Sequence, residues 1–294
     1  MTNSLLTLSN GITELELSPS IGGAISNFTW ISGGARKAIL RESHTPLENV
    51  LDAACFPLVP YCNRIRGGSF TFRDGQVRLT PNMAGDPSPL HGQGWLGEWQ
   101  VESQSHTEAV LAFRHDAGEW PWAYEAHQAF RLDESGLDLR LSCRNTSGEP
   151  MPCGLGFHPY FPCGPSTRIE TQVEQVWTVD ADVLPVARMP ATGRYAIADG
   201  PACGRGLDNG YGGWSGRTLL TDPDWPFEIE LSSPGARYFQ IYSPEHGGIF
   251  VAEPVTHANT ALNYPESEWP ELGMRVLGPG EAMSLDVRLE VIPN

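Results

Sequence analysis

Between Met283 and Val291 every second residue is apolar: Met283, Leu285, Val287, Leu289 and Val291 alternate with Ser284, Asp286, Arg288 and Glu290. A two-residue period belongs to an extended strand with one buried and one wet face, and a helix cannot use it. The same period recurs along the chain. Phe130 and Leu132 precede Asp133-Glu134-Ser135-Gly136, after which Leu137, Leu139, Leu141 and Cys143 hold alternate positions, so this stretch predicts a hairpin. Phe70 and Phe72 alternate with polar neighbours before Asp74-Gly75, and Val77 and Leu79 alternate after it, which predicts another. Short apolar or alternating runs at 227–233, 237–243 and 248–255 add strands, and no window sustains a 3.6-residue period long enough for a well-formed helix.

Glycine (32) and proline (25) are spread along the whole chain rather than gathered in one linker, as many turns between short strands require. No repeat, low-complexity tract or charge block marks a boundary. The expected fold is therefore all-β: one large antiparallel β-sandwich spanning 1–294 as a single domain. With 40% hydrophobic and 18% charged residues the chain can bury a large core. A net charge of −16 opposes a phosphate backbone or an anionic membrane, so neither nucleic acid nor membrane is an expected partner. The segment Met1–Thr7 has no basic stretch and no signal-like apolar run, which points to a cytoplasmic protein. The six cysteines, at 55, 62, 143, 153, 163 and 203, form no CxxC pair and no zinc spacing. They are read as reduced, with no metal site, and the chain is expected to be a monomer or homodimer.

Candidate chemistry begins at Gly156-Phe157-His158-Pro159-Tyr160-Phe161, where one imidazole sits in an aromatic stretch. Histidine exchanges a proton near neutrality, and Pro159 holds its predecessor extended. A buried, hydrogen-bonded core histidine is the plain alternative. In Phe250-Val251-Ala252-Glu253-Pro254 a carboxylate interrupts an apolar strand, where burial without a partner is costly, and it too precedes a proline. Asn63-Arg64-Ile65-Arg66-Gly67-Gly68 offers fixed donors for hydroxyls or a carboxylate, or else an exposed turn. Leu90-His91-Gly92-Gln93-Gly94-Trp95 sets another imidazole in a glycine-rich loop. Asp208 in Leu207-Asp208-Asn209-Gly210-Tyr211 reads equally as an Asx turn, and Gln240 equally as an outward strand residue or a ligand contact. Nine tryptophans and eight tyrosines suit stacking on sugar faces, as they suit a core.

Taken in this order, the segments resemble the aldose 1-epimerase (galactose mutarotase) family over essentially the whole chain. Asn63-Arg64 is similar to the family's sugar-binding arginine motif, Leu90-His91-Gly92 to its first histidine loop, and His158-Pro159-Tyr160-Phe161 to its active-site histidine segment. Asp208 and Gln240 resemble its substrate-binding aspartate and glutamine, and Glu253 its catalytic glutamate. Gly156-Phe157 stands where the best-known members have Thr-Asn, which resembles a divergent bacterial branch similar to enzymes acting on hexose 6-phosphates as well as free sugars. Arg66 and Arg73 are the side chains that a phosphate would call for on that branch.

The resemblance implies a galactose mutarotase-like supersandwich that interconverts the α and β anomers of a free hexose or a hexose phosphate, with no metal or redox cofactor. It makes Glu253 the base and His158 the acid, with Asn63, Arg64, His91, Asp208 and Gln240 binding the sugar. A nearby carboxylate favours the imidazolium, so the His158 pKa is expected to be raised. Two other classes compete: a noncatalytic carbohydrate-binding module, which has no need of Glu253, and a glycoside hydrolase, which usually needs two carboxylates.

Overall fold

The computed structural model describes residues 5–44 and 46–294. Residues 1–4 of the segment read above for an export signal lie outside them. Among the described residues the strands form a nine-stranded sheet, an eight-stranded sheet, a four-stranded sheet over Leu6–Ala38 and two short ribbons, and every strand pairing within them is antiparallel. The α-helical content is the single turn Trp269–Leu272, besides a few 3₁₀ turns. An all-β sandwich is thus what the alternation produces.

The C-terminal strand Ala282–Pro293 lies inside the nine-stranded sheet, between Gly136–Asn145 and Phe227–Ser232. Its apolar positions Leu285, Val287 and Leu289 join Leu139 and Leu141 in a buried cluster that also takes in Phe239, Ile241, Phe250 and Ala252 of the eight-stranded sheet. Those residues are alternate positions of Tyr238–Ser243 and Gly248–Val255, so Gln240, Val251 and Glu253 point to the other face. That other face is covered too: Val251 and Val255 belong to a second buried cluster with Phe56, Leu58 and Trp95. Burial on both faces explains why 248–255 reads as a nearly continuous apolar run.

Both predicted hairpins form. Phe130 stands opposite Leu139 and Leu132 opposite Leu137, closing at Asp133–Gly136. In the other, Phe70 faces Val77 and Phe72 faces Gly75, so the turn residues are Arg73 and Asp74, one position earlier than Asp74-Gly75 suggests. The apolar pair sets the register, and Arg73 takes the left-handed backbone (φ 53°) that the tight turn needs.

Leu139 is 2% exposed and Val186, on an edge strand, is 66% exposed. Leu139→Ala is expected to cost about 2–5 kcal/mol in urea unfolding, and Val186→Ala to stay within about 0.5 kcal/mol.

Candidate active site

Strand Gly248–Val255 pairs on one side with Tyr238–Ser243 and on the other with two short strands, Gly156–Phe157 and Tyr160–Cys163, which flank His158-Pro159. Pro159 has no N–H and interrupts the ladder. The register nevertheless carries through the break. Gly156 stands opposite Val255 and Tyr160 opposite Val251, which sets His158 opposite Glu253. Gln240 faces Glu253 from the other side, and the His158 N–H donates to the Phe56 carbonyl at 3.0 Å. One row across this face therefore reads Phe56, His158, Glu253, Gln240, and the next reads Tyr160, Val251, Tyr242, Asp208.

Within these rows His158 Nε2 lies 3.3 Å from Glu253 Oε1. The imidazole packs against two rings, Phe56 at 4.5 Å and Tyr160 at 4.6 Å between centroids, which also touch each other at 6.2 Å. His158 Nδ1 and Glu253 Oε2 are buried without a hydrogen-bond partner, a rarity that asks for a reason. Burial pushes the Glu253 carboxyl well above its usual range, the Asp208 charge adds to this, and Arg64 opposes it. Burial also lowers His158 to about 3, with a smaller contribution from Arg41. This corrects the expectation of a raised imidazole: desolvation of a fully enclosed ring outweighs the attraction of a carboxyl group that is itself desolvated.

Loops bring the remaining groups over this patch. Asn63 and His91 both adopt left-handed backbone (φ 60° and 58°), and each fixes the other. The His91 N–H donates to the Asn63 carbonyl at 3.0 Å, and the Asn63 N–H donates to His91 Nδ1 at 3.0 Å. An accepting Nδ1 puts the proton of the neutral ring on Nε2, which leaves His91 a hydrogen-bond donor. Burial, with His158, Arg64 and His257 adding to it, holds its pKa well below the usual value. Gly92 is required where it is, since a Cβ there would lie 2.1 Å from the Val59 carbonyl oxygen. Arg64 is gripped by Asp86, with Nε 2.9 Å and Nη2 2.8 Å from Oδ2.

The chain just beyond Glu253-Pro254 braces this arginine loop. His257 Nε2 accepts from the Cys62 N–H at 2.8 Å while its Nδ1 donates to the Ala258 carbonyl. Asn259 Oδ1 accepts from the Arg64 N–H, and Asn263 Oδ1 from the Arg66 N–H. Buried His257 is held neutral, its pKa lowered by burial to about 4.

A cavity of about 240 Å³ opens over the patch, its polar lining formed by Asn63, Arg64, His91, His158, Asp208 and Glu253. Six of the seven residues singled out in the sequence therefore meet in one place. Gln240 does not line the cavity; its Nε2 donates to Asp208 Oδ1 at 2.8 Å, orienting that carboxylate. Arg66 and Arg73 do not line it either: Arg66 donates to the Pro185 carbonyl, and Arg73 lies over the Phe72 ring. Asp86, Phe56, Tyr242 and the brace at 257–263 went unread in the sequence. Asp86 has only a turn context, Gly85-Asp86-Pro87, to mark it. Among the described residues no group of three or more His, Cys, Asp or Glu is placed to hold a metal.

Comparison with known proteins matches the family described as aldose 1-epimerase over residues 4–290. The chain belongs to the aldose 1-epimerase family. It is 32% identical to the uncharacterized protein YphB of Escherichia coli K12, over 98% of each chain. Among solved structures, an E. coli K12 protein provisionally named aldose 1-epimerase superposes with a TM-score of 0.89 at 31% identity, over 99% of each chain. A galactose mutarotase-like protein from Clostridium acetobutylicum gives 0.84 at 19% identity, over 99% of this chain and 95% of its own, which speaks to the fold alone.

His257 supplies a test of the brace in this member of the aldose 1-epimerase family. Its folded pKa of about 4 lies below the ordinary 6.5, so between those values the unfolded chain binds a proton that the fold refuses. Stability is fully present above pH 6.5 and is lost as pH falls toward 4, by up to about 1.4 kcal/mol per pH unit from this group. Urea unfolding from pH 7 to 4 should show a shallower slope in His257→Gln than in the wild type.

Proposed function

We propose that this chain is a mutarotase, an isomerase that interconverts the α and β anomers of a free hexose. The observation that carries the reading is the His158–Glu253 pair: two proton-exchanging groups in contact at 3.3 Å, each with a further buried atom unpaired, in a cavity lined with hydrogen-bonding groups. A volume of about 240 Å³ suits one sugar ring, being below the range of about 300–1,000 Å³ typical of larger ligands.

Anomer exchange needs a base that takes the proton of the anomeric hydroxyl and an acid that protonates the ring oxygen. The C1–O5 bond then opens, the aldehyde rotates, and reclosure reverses both transfers. Glu253 is the base and His158 the acid in the opening step. With burial acting on both groups, the one transferable proton of the empty pair rests on Glu253. A hydroxyl donating to Oε2 stabilises the carboxylate and moves that proton across the 3.3 Å contact to His158. Arg64, Asn63 and the Nε2–H of His91 donate to sugar oxygens, Asp208 accepts from hydroxyls, and Gln240 holds Asp208 in place. The chemistry is redox-neutral and calls for no cofactor.

A free sugar is favoured over a phosphorylated one by charge. Arg64, the arginine in the lining, is already paired with Asp86, while Arg66 and Arg73 are engaged elsewhere. A noncatalytic sugar-binding module is the rival that the first experiment rejects or adopts.

Glu253→Gln and His158→Asn are each expected to lower kcat/KM for glucose or galactose mutarotation by about two to four orders of magnitude, followed by polarimetry or saturation-transfer NMR. Near-normal exchange in either variant removes the assignment, and sugar binding without exchange in the wild type makes the protein a binding module. The pH profile follows from the pair. Activity requires one shared proton, so kcat/KM should fall on the acid side only well below pH 6.5, where His158 takes a second proton. On the alkaline side it should fall well above 4.5, where Glu253 loses the proton.

A further inference from the structure

Arg41 has no part in the chemistry above, yet it is built into the back of the site. Its guanidinium carbon lies 3.7 Å from the centroid of the Tyr160 ring, one of the two rings that His158 packs against. Its backbone N–H donates to the Tyr160 carbonyl at 2.7 Å. Its Nη2 donates to the carbonyls of Leu51, at 2.8 Å, and of Ala53, while Nε is buried without a partner. The segment that it grips runs on through Ala54, whose carbonyl accepts from the Tyr160 N–H at 2.9 Å, to Phe56, the other ring against His158. One cation thus ties together the two neighbouring rings that the imidazole packs against. Burial lowers the Arg41 pKa, and Tyr160 and then Asp52 oppose that shift.

We propose that Arg41 is a positioning residue for the proposed mutarotase reaction: it holds Tyr160 and the Phe56 segment against His158 and sets a permanent positive charge behind the Tyr160 ring. The inference rests on the mutarotase reading for its kinetic consequence, but not for its physical one. The groups facing His158 are Glu253 across the strand, His91 edge-on at 5.6 Å, the Tyr160 ring, the Cys55 thiol against its backbone, and Arg41 beyond Tyr160. Arg64 and Asp208 also line the cavity, and the charge that acts on the imidazole is that of Arg41. Among the nearest of these, Arg41 carries the permanent positive charge.

The test follows the His158 imidazole directly by NMR of isotope-labelled histidine across acid pH, beside the acid limb of kcat/KM. Arg41→Gln keeps a donor for the carbonyls and removes the charge, so the His158 midpoint should rise by roughly one pH unit, a Coulomb interaction of this range at high effective dielectric. Arg41→Lys should leave it within a few tenths of the wild type. Asp52→Asn, an exposed change that spares Arg41, should move the midpoint the opposite way to Arg41→Gln, and it serves if Arg41→Gln fails to fold. An unmoved midpoint in Arg41→Gln, an equal shift in Arg41→Lys, or an upward shift in Asp52→Asn overturns the proposal. If the wild type does not exchange anomers, the functional reading fails while the NMR titration still decides the role of Arg41.

Discussion

The rest of the site depends on a register: His158 lies opposite Glu253 across a strand pair that Pro159 interrupts without shifting. Opposed residues in an antiparallel pair have Cβ atoms roughly 5 Å apart, so two mid-length side chains meet with no help from a loop. Pro159 and Pro254 each follow one member of the pair, keeping both backbones extended at the point of contact. The two members of the pair are therefore placed by sheet geometry. Gln240, next in the row, extends the same logic to Asp208.

What sheet geometry cannot supply is a group facing the pair from above, and for this the fold uses loops stiffened by polar clamps. Asn63 and His91 lock each other, Asp86 locks Arg64, and His257, Asn259 and Asn263 hold the arginine loop from the chain just beyond Glu253. The stretch from Glu253 to Asn263 thus carries the carboxyl group of the pair and fixes the donors that face it. Gly154 belongs to the same device, because a Cβ there would fall 2.0 Å from the His257 ring. Each clamp also satisfies a polar group at the edge of a buried space, where an unmet donor would cost about 1–3 kcal/mol.

Much of this was legible in the sequence, for reasons that can be named. Alternation along 137–143 and 283–291 marks strands because one face of each is buried in the inter-sheet core. Glu253 was legible because its strand is apolar on both faces, which left a lone carboxylate conspicuous, and His158 because of its proline. Gln240 read ambiguously, and its structural role lies between the two readings: it faces the site but touches Asp208 instead of lining the cavity. Asp86 and Arg41 were not legible, since each acts on a partner 22 or more residues away and nothing local distinguishes them from ordinary surface charges. The sign of the His158 shift was missed for a related reason. Sequence shows a neighbour's charge more readily than it shows the loss of water around a pair.

That inverted sign alters where the proton rests without altering how many protons the pair holds. A neutral imidazole beside a protonated carboxyl and an imidazolium beside a carboxylate have the same composition, and they differ by one transfer across 3.3 Å. Burial favours the neutral form because it disfavours both charges at once. A hydroxyl donating to Glu253 Oε2 stabilises only the charged form, and in the proposed reaction the same bond aligns the proton that Glu253 removes. In the proposed reaction, substrate binding and charging of the pair are then one event, which begins without importing or releasing a proton.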